Sequence, residues 1–174
     1  MVIYFCRHAN AGHRKARPEQ DARRRLDAGG EAQARQMGAV LAAMGVYVDA
    51  VVASPLKRAA QTATLIAEEL GHDGDLRLDP ALRPEAGYEQ FQALLAHYAD
   101  ANSILLVGHK PGLAACLAQL LGARRASVGL KKCAVAKVEV NARKTQLEWL
   151  LTPRLIQSCS AMAGVKARPK TARK

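Results

Sequence analysis

The sequence predicts an α/β fold in which short apolar strands alternate with amphipathic helices around a mostly parallel sheet. Residues 104–107 (Ile-Leu-Leu-Val) are apolar throughout, as a central parallel strand covered on both faces should be. Another apolar run, rich in β-branched and aromatic residues, begins at residue 2 and indicates a short buried strand. Strands that alternate with helices are joined by right-handed crossovers, which place the carboxyl ends of parallel strands at one edge of the sheet.

The first part of the chain continues from the opening strand into a loop, a helix and a second strand. Residues 11–25 are polar and unpatterned, and we expect a loop there. Asp27 is the expected N-cap of a helix over about 29–44, in which apolar residues recur at helical spacing, and Gly45 ends it. Residues 48–53 are predicted to form the next short strand.

Proline and glycine mark the ends of the later helices. Ser54-Pro55 is the N-cap and first-turn pattern of a helix that Gly71 closes, and Pro111 opens another helix that stops at Gly122. The remaining predicted elements are a weak strand near 76–78, a helix over about 88–98, and a hairpin of strands at 133–140 and 146–151. The chain shows no internal repeat and no interior linker.

The chain of 174 residues has the size of one domain. We expect this domain at residues 1–153 and a basic, partly disordered C-terminal tail at residues 154–174. No window is apolar enough to cross a bilayer and the N-terminus lacks a signal-peptide pattern, so we expect a cytoplasmic protein. The four cysteines, Cys6, Cys116, Cys133 and Cys159, show neither close pairs nor metal-finger spacing, which predicts free, buried thiols.

The formal net charge of +11 indicates an anionic partner, and its position along the chain decides which kind. The tail holds six Lys or Arg and no acidic residue, which leaves +5 for the domain. A second basic cluster at residues 14–25 follows directly on the opening strand. Solvated basic surface is the alternative interpretation of both clusters. We expect an anionic substrate, and neither nucleic acid nor a membrane as partner.

Polar side chains follow three of the predicted strands at the point where each strand ends. Arg7-His8 follows the first strand, Arg58 lies in the first turns of the helix after the second, and His109 follows residues 104–107. At one sheet edge these residues bring together two Arg and two His, beside helix N-termini that offer backbone N–H groups. Such a group suits a phosphoryl or sulfate anion, which Arg binds bidentately. Ordinary surface residues are the alternative for any one of them alone.

Together these motifs resemble the histidine phosphatase superfamily, and within it the small phosphohistidine phosphatases of the SixA type. The matching residues are Arg7-His8-Ala9, Asp21 with Arg24 and Leu26, the segment 54–62 (Ser-Pro-Leu-Lys-Arg-Ala-Ala-Gln-Thr), the segment 107–112 (Val-Gly-His-Lys-Pro-Gly), Trp149 and Pro153. The resemblance covers nearly all of residues 1–153. It implies a phosphoglycerate-mutase-like fold, a three-layer α/β/α sandwich.

The resemblance also implies roles for the residues at the sheet edge. His8 is the expected nucleophile that becomes phosphorylated, while Arg7, Arg58 and His109 bind the phosphoryl group. With His109 protonated, these cations are expected to supply the charge stabilisation that other phosphotransfer enzymes obtain from magnesium, so neither a metal nor another cofactor is expected. Arg24 and Asn10 are further candidates for substrate binding.

Three positions depart from the pattern of the family. Ala9 stands where the usual residue is Gly, a change common in the SixA-type branch. Lys110 replaces a neutral polar residue and is expected to point to solvent, with assistance in substrate binding as the alternative interpretation. The carboxylate proton donor of larger members has only loose counterparts here, in Glu85 and, behind it, Asp79. An exposed loop glutamate is the alternative interpretation of Glu85.

The function we expect is a phosphatase that hydrolyses phosphohistidine in a protein partner, as part of signal transduction, through a covalent intermediate on His8. A general small-molecule phosphomonoesterase of the same superfamily, acting on small phosphate esters, is one alternative. A non-enzymatic basic binding module is another, although the presence of all four core residues argues against a decayed site. No Cys is followed six residues later by Arg, which removes the cysteine phosphatases.

Overall fold

The computed structural model describes residues 1–123 and 128–162, which fold around one six-stranded sheet. The strands are β1 (Val2–Arg7), β2 (Ala50–Ala53), β3 (Leu76–Leu78), β4 (Ser103–Gly108), β5 (Val135–Val140) and β6 (Thr145–Leu151). Their order in the sheet is β3-β2-β4-β1-β5-β6. The pairs from β3 to β1 are parallel, and β5 and β6 add an antiparallel hairpin at the other edge. The predicted mostly parallel sheet is confirmed.

Helices cover both faces of the sheet. They are α1 (Pro18–Ala22), α2 (Ala28–Ala43), α3 (Lys57–Leu70), α4 (Tyr88–His97), α5 (Gly112–Leu120) and α6 (Pro153–Met162), with a short 3₁₀ turn at Pro80–Leu82. Alternate residues of β1 point to opposite faces, so Tyr4 packs in the core with α2, α3 and α6, while Phe5 packs with α4 and α5. The three-layer α/β/α sandwich is therefore confirmed.

Local sequence signals hold α2 at the correct place against the sheet. The Asp27 side chain accepts a hydrogen bond of 2.7 Å from the backbone N–H of Gly30, as expected for an N-cap, and Gly45 follows the helix with φ of +72°. Gly30 also allows a close approach, because a Cβ at this position would lie 1.9 Å from the carbonyl oxygen of Asn10. The start of α2 is thereby fixed against the loop that follows β1.

Strand register brings the predicted polar residues to one edge. Arg7 at the end of β1 pairs with Gly108 at the end of β4, so His8 and His109 leave the sheet side by side. The next strand joins them, since the backbone N–H of Ser54 donates to the carbonyl of Val107 at 2.9 Å. The carboxyl ends of β1, β2 and β4 thus meet at one place, as the α/β pattern predicted.

Two element boundaries near this edge differ from the prediction. The loop expected at 11–25 contains α1, a single short helix with Pro18 at its start and acidic residues in its first turn. Five residues are too few to show helical periodicity in a sequence. In addition, α3 begins at Lys57 with Leu56 as its N-cap residue, so Ser54 is not the cap of this helix.

The C-terminal boundary also differs from the prediction. Helix α6 occupies Pro153–Met162, in a region predicted to be tail from residue 154 onward, because Ile156 is buried against the core beside α2. The rest of the predicted tail, from residue 163, lies outside the described residues. Cys6, Cys116 and Cys133 are free and buried as predicted, whereas Cys159 is free but exposed. No helix of the described residues is long and apolar enough to cross a membrane.

Candidate active site

A cleft of about 610 Å³ opens where β1, β2 and β4 end, and all four core residues predicted from the sequence line it. These residues are Arg7, His8, Arg58 and His109. The imidazole rings of His8 and His109 lie next to each other, with centroids 5.0 Å apart and planes inclined by 52°. His8, Arg58 and His109 are buried, although each is polar or charged. Burial of several such groups in one cleft indicates a functional site.

The orientation of His8 leaves one ring nitrogen available for reaction. Nδ1 lies 2.7 Å from the carbonyl oxygen of Ala9, and since a carbonyl only accepts, this nitrogen carries the proton. Nε2 is therefore the unprotonated nitrogen, and it accepts from Nε of Arg58 at 3.3 Å. The backbone N–H of Ala9 donates to Oγ1 of Thr62 at 3.0 Å, which fixes this loop against α3.

The surroundings of His8 keep its ring neutral. Burial lowers the pKa of His8 from 6.5 to about 3, because a charged imidazole would lose its hydration. The hydrogen bond to Ala9 acts in the opposite direction, and the positive charges of Arg58, Arg7 and Arg24 lower the pKa further. The ring is thus neutral and nucleophilic over the whole physiological pH range.

Asp21 holds the two arginines that face His8. Arg58 donates from Nη1 to the backbone carbonyl of Asp21 at 3.0 Å, and the same nitrogen lies 3.4 Å from its carboxylate. Arg24 donates from Nε to the carboxylate at 2.8 Å and from Nη1 to the carbonyl of Ala11 at 2.8 Å. Although burial acts to raise the pKa of Asp21, these two cations hold it below its ordinary value. Asp21 of α1 thereby fixes the position of Arg58.

Two buried polar atoms in the cleft have no hydrogen-bond partner in the described part of the chain. They are Nε of Arg7 and Nδ1 of His109. Arg7 is fixed through Nη1, which donates to the carbonyl of Leu130 at 3.3 Å, and His109 through Nε2, which lies 2.9 Å from Oγ of Ser54. A buried polar group without a hydrogen-bond partner lowers the stability of the fold. Both nitrogens can donate a hydrogen bond to a bound oxyanion if Nδ1 of His109 carries a proton.

Burial of His109 favours a neutral ring, whereas a protonated His109 was expected from the resemblance. Burial lowers its pKa from 6.5 to about 2, and the neighbouring His8, Arg58 and Arg7 lower it further. The sequence placed His109 beside two arginines but could not show how deeply the ring is buried. The lowered pKa of His109 favours a neutral imidazole beside the positive charges of the arginines.

The chain matches a known family over more than half of its length. Residues 3–94 match the model of the histidine phosphatase superfamily, branch 1. The chain belongs to the histidine phosphatase superfamily. An uncharacterised protein of Picosynechococcus sp. is 34% identical over 116 residues, which cover 65% of this chain and 68% of that relative. The region 3–94 that matches the family model contains most of β1 together with α1, α2, β2 and α3, and thus Arg7, His8 and Arg58.

Solved structures of superfamily members share the fold. The protein histidine phosphatase SixA, in complex with tungstate, superimposes with a TM-score of 0.81 at 23% identity and covers 90% of this chain and 99% of its own. A protein assigned as the phosphohistidine phosphatase SixA of Agrobacterium tumefaciens superimposes with a TM-score of 0.74 at 25% identity. The match covers 87% of this chain and 97% of that protein. A protein assigned as the alpha-ribazole-5'-P phosphatase of Escherichia coli superimposes with a TM-score of 0.67 at 20% identity. The match covers 88% of this chain and 97% of that protein. This chain is thus similar to SixA in architecture, and its superfamily supports a phosphatase.

Glu85, the candidate proton donor, lines the same cleft as the four core residues. Its side chain is 67% exposed, and its Oε1 lies 3.4 Å from Nη1 of Arg83. Asp79, the residue behind it, accepts from the backbone N–H of Ala81 at 2.7 Å and caps the 3₁₀ turn. The structure therefore places Glu85 at the mouth of the cleft and gives Asp79 a structural contact.

The two residues suggested as further substrate ligands are held by other contacts. Asn10 donates from Nδ2 to the Asp27 carboxylate at 2.6 Å and accepts from Nζ of Lys132 through Oδ1. Arg24 lines the cleft, but its described bonds go to Asp21 and to the backbone. Both residues stabilise the loop and helix around the cleft. Lys110, expected to face solvent, is exposed at the cleft mouth.

The cleft carries more positive charge than the sequence motifs predicted. Eight Lys or Arg side chains line it, against the carboxylates of Asp21 and Glu85. Arg83 and Lys132 are the members that sequence reasoning missed, since neither belongs to a strand-end motif. Among the described residues, no group of three or more His, Cys, Asp or Glu is placed to hold a metal ion. The arrangement can bind a phosphoryl group between cations and present a neutral imidazole to its phosphorus.

Proposed function

We propose that this superfamily member is a phosphohistidine phosphatase that acts on a histidine of a protein partner in signal transduction. The observation that carries the proposal is the orientation of the His8 ring, with Nδ1 hydrogen-bonded to the carbonyl of Ala9 and Nε2 accepting from Arg58. A neutral imidazole at this position is a competent nucleophile toward phosphorus. The cleft carboxylates of the described residues are paired with arginines, Asp21 with Arg24 and Arg58 and Glu85 with Arg83.

In the first step, Nε2 of His8 attacks the phosphorus of the substrate. A new P–N bond forms to His8 while the P–N bond of the substrate histidine breaks, and the departing imidazole takes a proton from solvent or from its own surroundings. Arg7 and Arg58 neutralise the charge on the equatorial oxygens, and His109 donates a hydrogen bond from Nδ1. The hydrogen bond from Nδ1 of His8 to Ala9 stabilises the positive charge that develops on the attacking ring.

In the second step, water attacks the phosphorylated His8. The P–N bond to Nε2 breaks, inorganic phosphate leaves, and the ring returns to its neutral state with the proton still on Nδ1. The net reaction consumes one water and yields free histidine and phosphate. The two steps use the same cations and need no further group from the protein.

The choice of phosphohistidine over a phosphate ester follows from the leaving group. An ester expels an alkoxide, which needs a positioned acid, whereas a protonated imidazole leaves readily. Glu85 is exposed and bonded to Arg83, so it is poorly placed to give up a proton in the cleft. The open cleft mouth is accessible to a side chain on a folded protein.

A general phosphomonoesterase is the second candidate, and one observation favours it. Glu85 does line the cleft that holds His8 and His109, so a substrate ester could meet its carboxyl group. The two functions differ in which leaving group the site assists. A comparison of substrates separates them.

The experiment compares a protein chemically phosphorylated on histidine with a panel of sugar and aryl phosphates, in excess chelator. We expect kcat/KM for the phosphohistidine protein to be about tenfold or more above that of the best ester. Quenched samples should contain phosphate on the enzyme, and a His8→Asn variant should contain none. Equal or faster turnover of an ester would favour the phosphomonoesterase.

A further inference from the structure

A second pocket, of about 420 Å³, opens next to the active-site cleft. Four cationic side chains line it: Arg23, Arg25, Lys57 and Arg83. Its apolar wall consists of Ala22, Pro55 and Leu56. We call this cavity the side pocket. Because Ala22, Leu56 and Arg83 line the cleft as well, the two cavities are neighbours on one surface.

Three of the four cations of the side pocket form no ion pair with a carboxylate of the described residues. No acidic residue lines the side pocket among the described residues. Arg83 pairs with Glu85 at 3.4 Å, but the ion pairs of the described chain include neither Arg23, nor Arg25, nor Lys57. These three side chains are exposed to solvent. A negatively charged ligand could therefore contact them without displacing an existing partner.

The start of α3 adds to this positive potential. The helix begins at Lys57, at the side pocket, and its first turn contains no acidic residue. Leu56 gives the helix no side-chain cap, so the first backbone N–H groups and the positive end of the helix dipole have no carboxylate beside them. Four cations and an uncapped helix start exceed what one phosphoryl group, bound in the neighbouring cleft, requires.

We infer that the side pocket binds the carboxylates of an acidic segment that flanks the phosphohistidine in the protein substrate. This inference rests on the proposed function. A phosphohistidine in the cleft fixes the substrate chain at His8, and a neighbouring stretch of that chain then passes Arg83 into the side pocket. Carboxylates pair well with arginine, and the apolar wall accommodates the methylene groups of Glu side chains.

The expected effect is selection between substrates by charge. Exposed cations attract an acidic segment over a distance that shortens as the salt concentration rises. They therefore raise the association rate more than they increase the affinity of the final complex. Substrates with acidic residues beside the phosphohistidine should show a higher kcat/KM at low salt. The chemical steps at His8 are the same for all of them.

The test uses two synthetic phosphohistidine peptides that differ only in their flanking residues, several Glu in one and Gln in the other. For the parent protein at low salt we expect kcat/KM for the Glu peptide to be about tenfold higher than for the Gln peptide. The double variant R25Q/K57Q should bring this ratio to roughly two or less. The variant R143Q/K144Q removes two charges from the distant β5–β6 turn and should keep the parent ratio.

A ratio near one in the parent, or an equal fall in R143Q/K144Q, would overturn the inference while leaving the phosphohistidine activity standing. If neither peptide is hydrolysed, the proposed function fails, and binding of the unphosphorylated peptides, measured by fluorescence anisotropy, then decides on the side pocket. Tighter binding of the Glu peptide, lost in R25Q/K57Q, supports the inference. Equal binding of both peptides overturns it.

Discussion

The hydroxyl oxygen of Ser54 lies 2.9 Å from Nε2 of His109, which connects the end of β2 to the end of β4 inside the cleft. Ser54 is completely buried, and its Oγ also accepts from the backbone N–H of Leu56 at 3.3 Å. If the hydroxyl donates its proton to Nε2, His109 carries its own proton on Nδ1, the nitrogen that has no described partner. Ser54 is thus a positioning residue, because it orients His109 and selects its tautomer.

A Ser54→Ala substitution should therefore lower kcat by roughly tenfold, with a smaller effect on KM, because the orientation of His109 matters most in the transition state. The unpaired Nε2 should also cost about 1–3 kcal/mol of unfolding free energy. Steady-state kinetics and urea unfolding measure the two effects. Ser54→Thr, which keeps a hydroxyl, should recover part of kcat. If Ser54→Ala loses stability but keeps the kcat of the parent, the role of Ser54 is purely structural.

The substitution His8→Ala should abolish turnover and leave the protein folded. The covalent route requires Nε2, and the small loss of packing at the end of β1 is minor compared with the core. Loss of activity, the circular dichroism spectrum and the absence of enzyme-bound phosphate are the measurements. His13→Ala, at an exposed histidine, is the matched control and should behave as the parent. Residual activity within about tenfold of the parent would refute the role of His8.

Arg58→Ala should reduce kcat/KM by about 10²-fold or more, since Arg58 contacts Nε2 of His8 and supplies charge at the phosphoryl group. Arg35→Ala serves as the control, because Arg35 lies on the exposed side of α2 and pairs with Glu68. Kinetics on a small aryl phosphate measure both variants. An unchanged rate for Arg58→Ala would remove this residue from the site.

The two active-site histidines should make stability depend on pH. Their pKa values are about 3 for His8 and about 2 for His109, both below the value of 6.5 expected in the unfolded chain. Between pH 6.5 and 3 the unfolded chain therefore binds more protons than the folded protein. The contribution of the two histidines to the free energy of unfolding is fully present above this window. It falls as the pH is lowered through the window, by at most about 1.4 kcal/mol per pH unit for each histidine.

Urea unfolding at pH 7 and at pH 5 measures this dependence. The substitution His8→Asn should reduce the loss of stability between the two pH values, because one of the two suppressed protonation sites is gone. Inorganic phosphate should act in the same direction, since an anion in the cleft favours protonation of the folded protein. An identical pH dependence in the parent and in His8→Asn would contradict the lowered pKa of His8.

The sequence predicted the sheet edge well, and the reason is local. Apolar runs define β1 and β4, and the residues just after them, His8 and His109, must leave the sheet where the strands end. Register then follows from parallel pairing, so the meeting of Arg7, His8 and His109 is a consequence of topology. Arg58 joined them because it lies in the first turn of the helix after β2.

The contacts between side chains of separate segments could not be predicted in the same way. Ser54 has the sequence signature of an N-cap, yet its hydroxyl is bonded to His109, which is far away in the chain. Asp21 lies in a stretch without periodicity, so the sequence predicted neither α1 nor the hydrogen bond from Arg58 to Asp21. The lowered pKa of His109 comes mainly from burial, and a sequence does not show burial at that depth.

The final prediction concerns Glu85, which separates the two candidate reactions. Glu85 lies at the cleft mouth, exposed and bonded to Arg83, so its loss should hardly affect the departure of an imidazole. We expect Glu85→Gln to change kcat/KM for a phosphohistidine protein by less than about threefold, because this leaving group needs no carboxylic acid from the enzyme. For an aryl phosphate with a poor leaving group, Glu85→Gln should lower kcat/KM by more than it does for phosphohistidine.

The neighbouring Glu89→Gln, at an exposed position of α4, controls for the loss of one negative charge. If a sugar phosphate is turned over as fast as the phosphohistidine protein or faster, and this turnover collapses in Glu85→Gln but not in Glu89→Gln, Glu85 is the acid and the phosphomonoesterase becomes the better account of the site.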